Sequence, residues 1–288
     1  MELWFLLAVL PIFFWGIAVV LAKVSTPKLN VVRVTWLIVV IEGAMYSAGY
    51  ILFRSTIPLS LSSILLGLGT AIVGMVAYLC FYESMLDGQV AIIGTISAAY
   101  PALTVLGALL FLSETLTATE AVGLVAVIFG IIALSYERTP NSQRTIPKRS
   151  LFFALLAFFL WGIWGIATKI TLGRIGPGNM FGFYAIAAVG LPLIYFALRR
   201  SRLPNSEKPS RFLWAAGAAG VASNVIGTLT FAFALSLGQA SLVVPISSAY
   251  PLVTVALAIT LLGEKLNRLQ TIALAVLLIG LITIGITS

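Results

Sequence analysis

Ten apolar runs alternate with polar connections along the whole chain. They lie near residues 3–23, 31–53, 61–86, 90–112, 117–136, 150–171, 178–198, 211–236, 240–262 and 267–287. A helix that crosses a bilayer needs roughly 20 predominantly apolar residues, so each run is long enough to be one span. The period-two alternation of a membrane β-barrel strand is missing. Two connections are longer and polar, 137–150 (ERTPNSQRTIPKRS) and 199–211 (RRSRLPNSEKPSR). The pattern predicts an all-α integral membrane protein of ten transmembrane helices. Residues 1–136 form a first unit and 150–288 a second, joined by a polar linker at 137–149.

Composition agrees with the pattern. The 288 residues are 60% hydrophobic and 9% charged, with a mean hydropathy of +1.10, whereas soluble domains carry roughly 25% charged residues. The first run is followed by Lys23 rather than by a small-residue cleavage site, so it is expected to be a retained helix and not a signal peptide. Cys80 is the single cysteine and there is no histidine, which excludes intrachain disulfides, zinc clusters and histidine-based acid–base chemistry. No lysine follows a glycine, so a phosphate-binding P-loop is absent. No metal or cofactor is expected.

The net charge is +8. Connections after runs 1, 3, 5, 7 and 9 hold 14 of the 17 Lys and Arg residues; Arg54, Lys169 and Arg174 lie on the other side. By the positive-inside rule the first set is cytoplasmic and both termini face outward, in a cell (inner) membrane. These charges are spread among loops and form no stripe with aromatics, so nucleic acid is not an expected partner. The lipid bilayer and a small-molecule substrate are.

The chain also repeats itself. ISAAYPALTVLGALLFLSETLT from Ile96 returns as ISSAYPLVTVALAITLLGEKLN from Ile246. At an offset of 150, residues 88–116 share 13 of 29 identities with their mates, among them Gly88, Gln89, Ser97, Tyr100, Pro101, Thr104 and Glu114 with Gly238, Gln239, Ser247, Tyr250, Pro251, Thr254 and Glu264. Phe81 matches Phe231. Earlier in each half the offset becomes 146, pairing Trp15, Gly16 and Lys23 with Trp161, Gly162 and Lys169. Five spans per half is an odd number, so the second half is expected to enter the membrane from the opposite side, as an inverted repeat around a central cavity.

The WG…K segment of the first span, the G-Q turn, the Y-P span and the L-x-E-x-L ending resemble the drug/metabolite transporter superfamily, EamA type. The resemblance covers both halves. It implies two five-helix halves around a cavity built mainly by spans 1–4 and 6–9, transport of small metabolites including amino acids, and no ATPase or other enzyme activity.

The candidate site follows from residue chemistry at depth. Pro101 and Pro251 each fall within an apolar run, where proline removes a backbone hydrogen bond at about 3 kcal/mol in a helix interior; they are expected at a helix break or gate, or as packing kinks. Trp161 and Trp164 share one helix face, as do Tyr78 and Tyr82. With Trp15, Ser97, Tyr100, Ser247 and Tyr250 they are candidate cavity residues, the alternative being an interfacial aromatic belt. Asn224 and Thr228 match Gly74 and Tyr78, which makes the two walls unlike. Charge within a membrane is costly and marks function. Glu42 and Glu83 are candidates for proton coupling or amine binding, or for ion pairing, and a pair between Lys23 and Glu83 is geometrically possible. Lys169 reads as an end anchor or a coupling residue. Glu114 and Glu264 are expected to cap the fifth and tenth helices, and Ser60 with its neighbours to cap the third.

An aromatic site with few fixed charges suits amino acids, aromatic and hydrophobic ones included, and the resemblance implies export, the commoner direction in that family. A drug or other metabolite carrier of the same fold is the near alternative, and a membrane-embedded lipid-modifying enzyme the distant one. Ala126, Gly130, Gly280 and Gly285 suit close packing of spans 5 and 10, within a monomer or in a homodimer.

Overall fold

A computed structural model describes residues 2–87, 96, 98–135, 147–199, 209–262 and 267–287. The expectations for Ser97, Gly88, Gln89 and Glu264, and for the side chain of Lys23, lie outside the described residues. Every described element is a helix: α1 (Leu3–Leu37), a π-helical segment (Ile38–Glu42), α2 (Gly43–Phe53), α3 (Leu61–Asp87), α4 (Tyr100–Phe111), α5 (Ala118–Ser135), α6 (Lys148–Arg199), α7 (Arg211–Leu237), α8 (Ala240–Ser247), α9 (Pro251–Leu262) and α10 (Arg268–Thr287). Among the described residues seven stretches are long and apolar enough to cross a membrane, and two apolar helices, Tyr100–Phe111 and Ala118–Leu134, are shorter.

Element boundaries differ from the apolar runs at three places. The connection expected between the first two runs is helical, so α1 continues to Leu37. Drawn out straight at 1.5 Å per residue, 35 residues would reach about 52 Å, well beyond a hydrocarbon core of about 30 Å. The stretch is not one straight rod: Trp15 and Glu42 both meet Asn224, and Ser25, Leu29 and Leu37 all stand beside Gly217, so the chain folds back between two spans, Leu3–Thr26 and Arg33–Phe53. Runs 6 and 7 are likewise merged in the 52 residues of α6, but the backbone breaks at Gly176, whose φ of 75° and ψ of 163° are not helical. Only glycine adopts that φ without strain. Two residues on, a Cβ at Gly178 would sit 1.8 Å from the Phe53 carbonyl oxygen, so the end of α2 rests on bare backbone. Asn179 Nδ2 donates to Ser55 Oγ at 2.9 Å and seals the same corner.

The third difference concerns Pro101 and Pro251, which begin helices and are not interior to them. Run 9 is divided between α8 and α9 by Ser248, Ala249 and Tyr250, and Pro251 is the first residue of α9. Pro101 likewise stands in the first turn of α4. At that position the missing N–H has no helical partner to lose, so the expected cost disappears.

α1 packs along α7, α3 along α6, and α5 against α10. The glycines of the last pair interlock within one chain: Gly123 faces Ile284 and the Gly280 carbonyl, and Gly130 faces Leu277. Gly285 instead receives the ring of Phe5. Capping follows local sequence. Thr117 and Glu120 exchange backbone and side-chain hydrogen bonds at the start of α5, as Asn267 and Gln270 do at α10, both reciprocal capping boxes. Ser60 Oγ accepts the Ser63 N–H at 3.2 Å, the expected cap of α3.

Candidate functional site

The tryptophan–glycine pair of each half joins that half to the other one. Trp15 on α1 packs on Phe231 of α7 (ring centroids 5.5 Å, planes 46° apart) and on Tyr250 (6.3 Å). Its repeat mate Trp161 on α6 packs on Phe81 of α3 (5.3 Å, 48°) and on Tyr100 of α4 (5.8 Å). The same trio thus occurs twice, each time with tryptophan from one half and phenylalanine and tyrosine from the other. The glycine beside each tryptophan completes the seam. Thr254 Oγ1 reaches the Gly16 carbonyl at 3.4 Å, and Thr104 Oγ1 donates to the Gly162 carbonyl at 3.1 Å. Val253 and Leu103 fill the space where a Cβ would stand on Gly16 and Gly162. Trp164, one turn after Trp161, stacks on Phe231 at 5.3 Å and 20°. Its pyrrole edge lies over Gly74, where a Cβ would come within 2.7 Å of the ring.

Around these rings sits a cluster of buried polar side chains. Glu42 ends the π-helical segment and is 3% exposed. Its hydrogen-bond partner is Asn224 Nδ2 at 3.3 Å, and among the described residues no cation pairs with it. The backbone carbonyl of Asn224 accepts from Trp15 Nε1 at 3.2 Å and from Thr228 Oγ1 at 3.1 Å. Tyr46, one turn beyond Glu42, packs its ring on Tyr184 at 5.5 Å. Tyr78 and Tyr82 join hydroxyls at 3.2 Å and lie within electrostatic reach of Glu42. Thr168 and Tyr184 close the far side at 3.5 Å. Trp164 Nε1 is buried and has no hydrogen-bond partner among the described residues.

Several expected site residues lie elsewhere. Glu83 is buried at the end of α3 in an ion pair with Arg149 at the start of α6, and Tyr195 donates to its other oxygen at 2.7 Å. The hydroxyl of Ser247 is sealed and donates to the Ala8 carbonyl at 3.0 Å, tying α8 to α1. Lys169 Nζ donates to the carbonyls of Leu235 (2.9 Å) and Gly238 (2.7 Å) at the C-terminus of α7. Glu114 does not cap the helix that follows it. Its two oxygens accept the Ala240 and Ser241 N–H groups, each at 2.8 Å, at the N-terminus of α8. The reason is that Thr117 and Glu120 already cap α5, while the free amides of α8 lie beside the end of α4. A cation on C-terminal carbonyls and an anion on N-terminal amides both complement the helix dipoles, so the turn at Gly238 and Gln239 is clamped from both sides.

Tyr46, Thr168, Tyr184, Phe231 and Arg149 were not singled out from the sequence. Phe81 and Phe231 carry a signal, since they are repeat mates. Tyr46 and Tyr184 carry none, because tyrosine in an apolar run reads equally as packing.

A bundle of apolar helices that buries a carboxylate, amides, hydroxyls and indoles across the seam between two similar halves is the build of a membrane carrier. The chain belongs to the EamA-like transporter family, whose model matches residues 2–136 and again residues 148–286. It is a multi-pass membrane transporter of the drug/metabolite type. It is 30% identical over 136 residues to an uncharacterised protein of Methanocaldococcus jannaschii, a match that takes in 47% of this chain and 98% of that protein. It also shares its fold with a protein of known crystal structure, at a TM-score of 0.79 and 20% identity over 99% of this chain and 96% of the other.

Proposed function

We propose that this protein is a secondary transporter that exports amino acids, aromatic and hydrophobic ones included, by alternating access. Ten spans in two inverted five-helix halves surround the site, in a cell (inner) membrane, with both termini outside and the basic connections cytoplasmic. The parity of Lys and Arg among the connections supports that orientation. The protein needs no cofactor and catalyses no reaction. A homodimer would use the outward faces of α5 and α10, because their glycines already face each other within one chain.

The observation that carries the reading is the environment of Glu42. A carboxylate that is 3% exposed and has one long amide contact is poorly satisfied as an anion. A proton or a substrate ammonium group resolves that deficit, and the surrounding tyrosine and tryptophan faces accept an apolar side chain and attract a cation. Glu83 is the weaker candidate for this role, since Arg149 and Tyr195 already engage both of its oxygens.

The test is counterflow of labelled amino acids in proteoliposomes of purified protein. Uptake driven by preloaded phenylalanine or leucine is expected, with loss of its pH dependence in Glu42→Gln. Flux of other metabolites with none of amino acids would overturn the amino-acid assignment. Full pH dependence in Glu42→Gln would remove Glu42 from the coupling step.

A further inference from the structure

The two halves differ at one position within an otherwise shared stretch of six: ISAAYP has Ala98 where ISSAYP has Ser248. That difference decides what each repeat-related tyrosine can do. The Tyr100 hydroxyl meets Ser248 Oγ at 2.6 Å, and Ser248 also donates to the Val244 carbonyl at 2.7 Å. Tyr100 is buried, with its hydroxyl satisfied inside the protein. Tyr250 would need the same hydroxyl from the first half, and Ala98 has none. Its hydroxyl forms no hydrogen bond with any described residue, and the residue is only half-buried.

The environment of Tyr250 indicates what the free hydroxyl faces. Its ring leads a row of contacts running through Trp15 and Phe231 to Trp164, with centroid spacings of 6.3, 5.5 and 5.3 Å. At one end of that row the Trp164 Nε1–H is buried without a hydrogen-bond partner among the described residues, and at the other the Tyr250 O–H, on a half-buried side chain, has none either. Between them, Trp15 is tied to the backbone of Asn224, whose side chain donates to Glu42. Neutral donors left open at depth are costly unless something accepts from them.

We propose that Tyr250 is the specificity-determining residue for the carboxylate end of the transported solute, and that Tyr100, its repeat mate, is a structural residue. This deepens the amino-acid reading and rests on it: Tyr250 donates to the carboxylate, and the aromatic row beside it carries the side chain.

The test compares Tyr250→Phe with Tyr100→Phe, and with Ser248→Ala in case Tyr100→Phe fails to fold. Two readouts are used: the melting temperature without ligand, and the binding of L-phenylalanine against phenethylamine, which lacks the carboxylate. Tyr250→Phe is expected to keep the wild-type melting temperature and to bind phenylalanine about tenfold more weakly, the loss of one hydrogen bond to a charged group, with phenethylamine unchanged. Tyr100→Phe and Ser248→Ala are expected to lower the melting temperature and leave the ratio of the two ligands unaltered. Equal weakening of both ligands in Tyr250→Phe, or a melting temperature that falls as far as in Tyr100→Phe, would overturn the proposal. If wild-type protein binds neither compound, the amino-acid reading and the carboxylate role fail together. A difference in melting temperature between the two variants would then still show which hydroxyl is bonded inside the protein.

Discussion

Removing the Glu114 carboxylate should loosen the turn between α7 and α8 more than any loss at the exposed helix ends. Glu114→Ala deletes two charge-assisted bonds at 2.8 Å and leaves the Ala240 and Ser241 amides without their acceptors. Each such bond contributes about 1.5–3 kcal/mol when charge is involved, and Glu114 is half-buried, so the lower end of that range applies. The expected cost is about 3 kcal/mol, and about half of that for Glu114→Gln, which keeps one acceptor oxygen. Lys169→Met removes the bonds to Leu235 and Gly238 from the other side of the turn and should likewise cost about 3 kcal/mol. Because both side chains hold the same turn, the double variant should fall short of the sum by about 0.5–1 kcal/mol. Reversible unfolding of purified protein in mixed micelles measures all four. A Glu114→Ala variant within about 0.5 kcal/mol of wild type, the range of an ordinary surface change, would show that the carboxylate does not cap α8.

Arg149→Met removes the cation described beside the buried Glu83. The cost should be about 2–3 kcal/mol, below the 3–5 kcal/mol of a fully buried pair because the Arg149 side chain is 43% exposed. Adding Glu83→Gln should restore most of that stability, which the same unfolding assay reads directly. At the corner between the two parts of α6, Gly176→Ala should cost about 1–3 kcal/mol for its glycine-only backbone alone, since the nearest atom to the new Cβ is Ser55 Oγ at an ordinary 3.8 Å. Gly178→Ala should cost more, about 3 kcal/mol or above, because the Phe53 carbonyl oxygen stands 1.8 Å from the new Cβ and backbone must move. Comparable stabilities for the two variants would contradict the described contact.

The sequence made the apolar elements legible because membrane spans are long and uniform, and the repeat made the seams legible because matched polar residues in apolar helices are rarely accidental. Trp15 and Trp161, Gly16 and Gly162, and Tyr100 and Tyr250 all came forward in that way. What each residue touches was not legible. Glu114 bonds to amides 126 and 127 positions away, and no local pattern distinguishes those from the start of the next helix. That residues 24–30 stay helical while the chain turns back between the first two spans was hidden by their polarity, which reads equally as a loop. Glu83 was readable as a buried carboxylate, but its partner Arg149 belongs to the linker side of the second half. Ser247 looked like a cavity hydroxyl and is spent on the Ala8 carbonyl, which only the packing of α8 on α1 reveals.

The crossed trios carry a consequence for assembly. Trp15 finds its phenylalanine and tyrosine only in the second half, and Trp161 finds them only in the first. A polypeptide of one half alone would expose both faces of that seam and would need a second copy of itself to close them. This protein is in that sense an oligomer carried on one chain. Joining the copies freed them from being identical, so that a serine could be placed on one side of the seam and an alanine on the other.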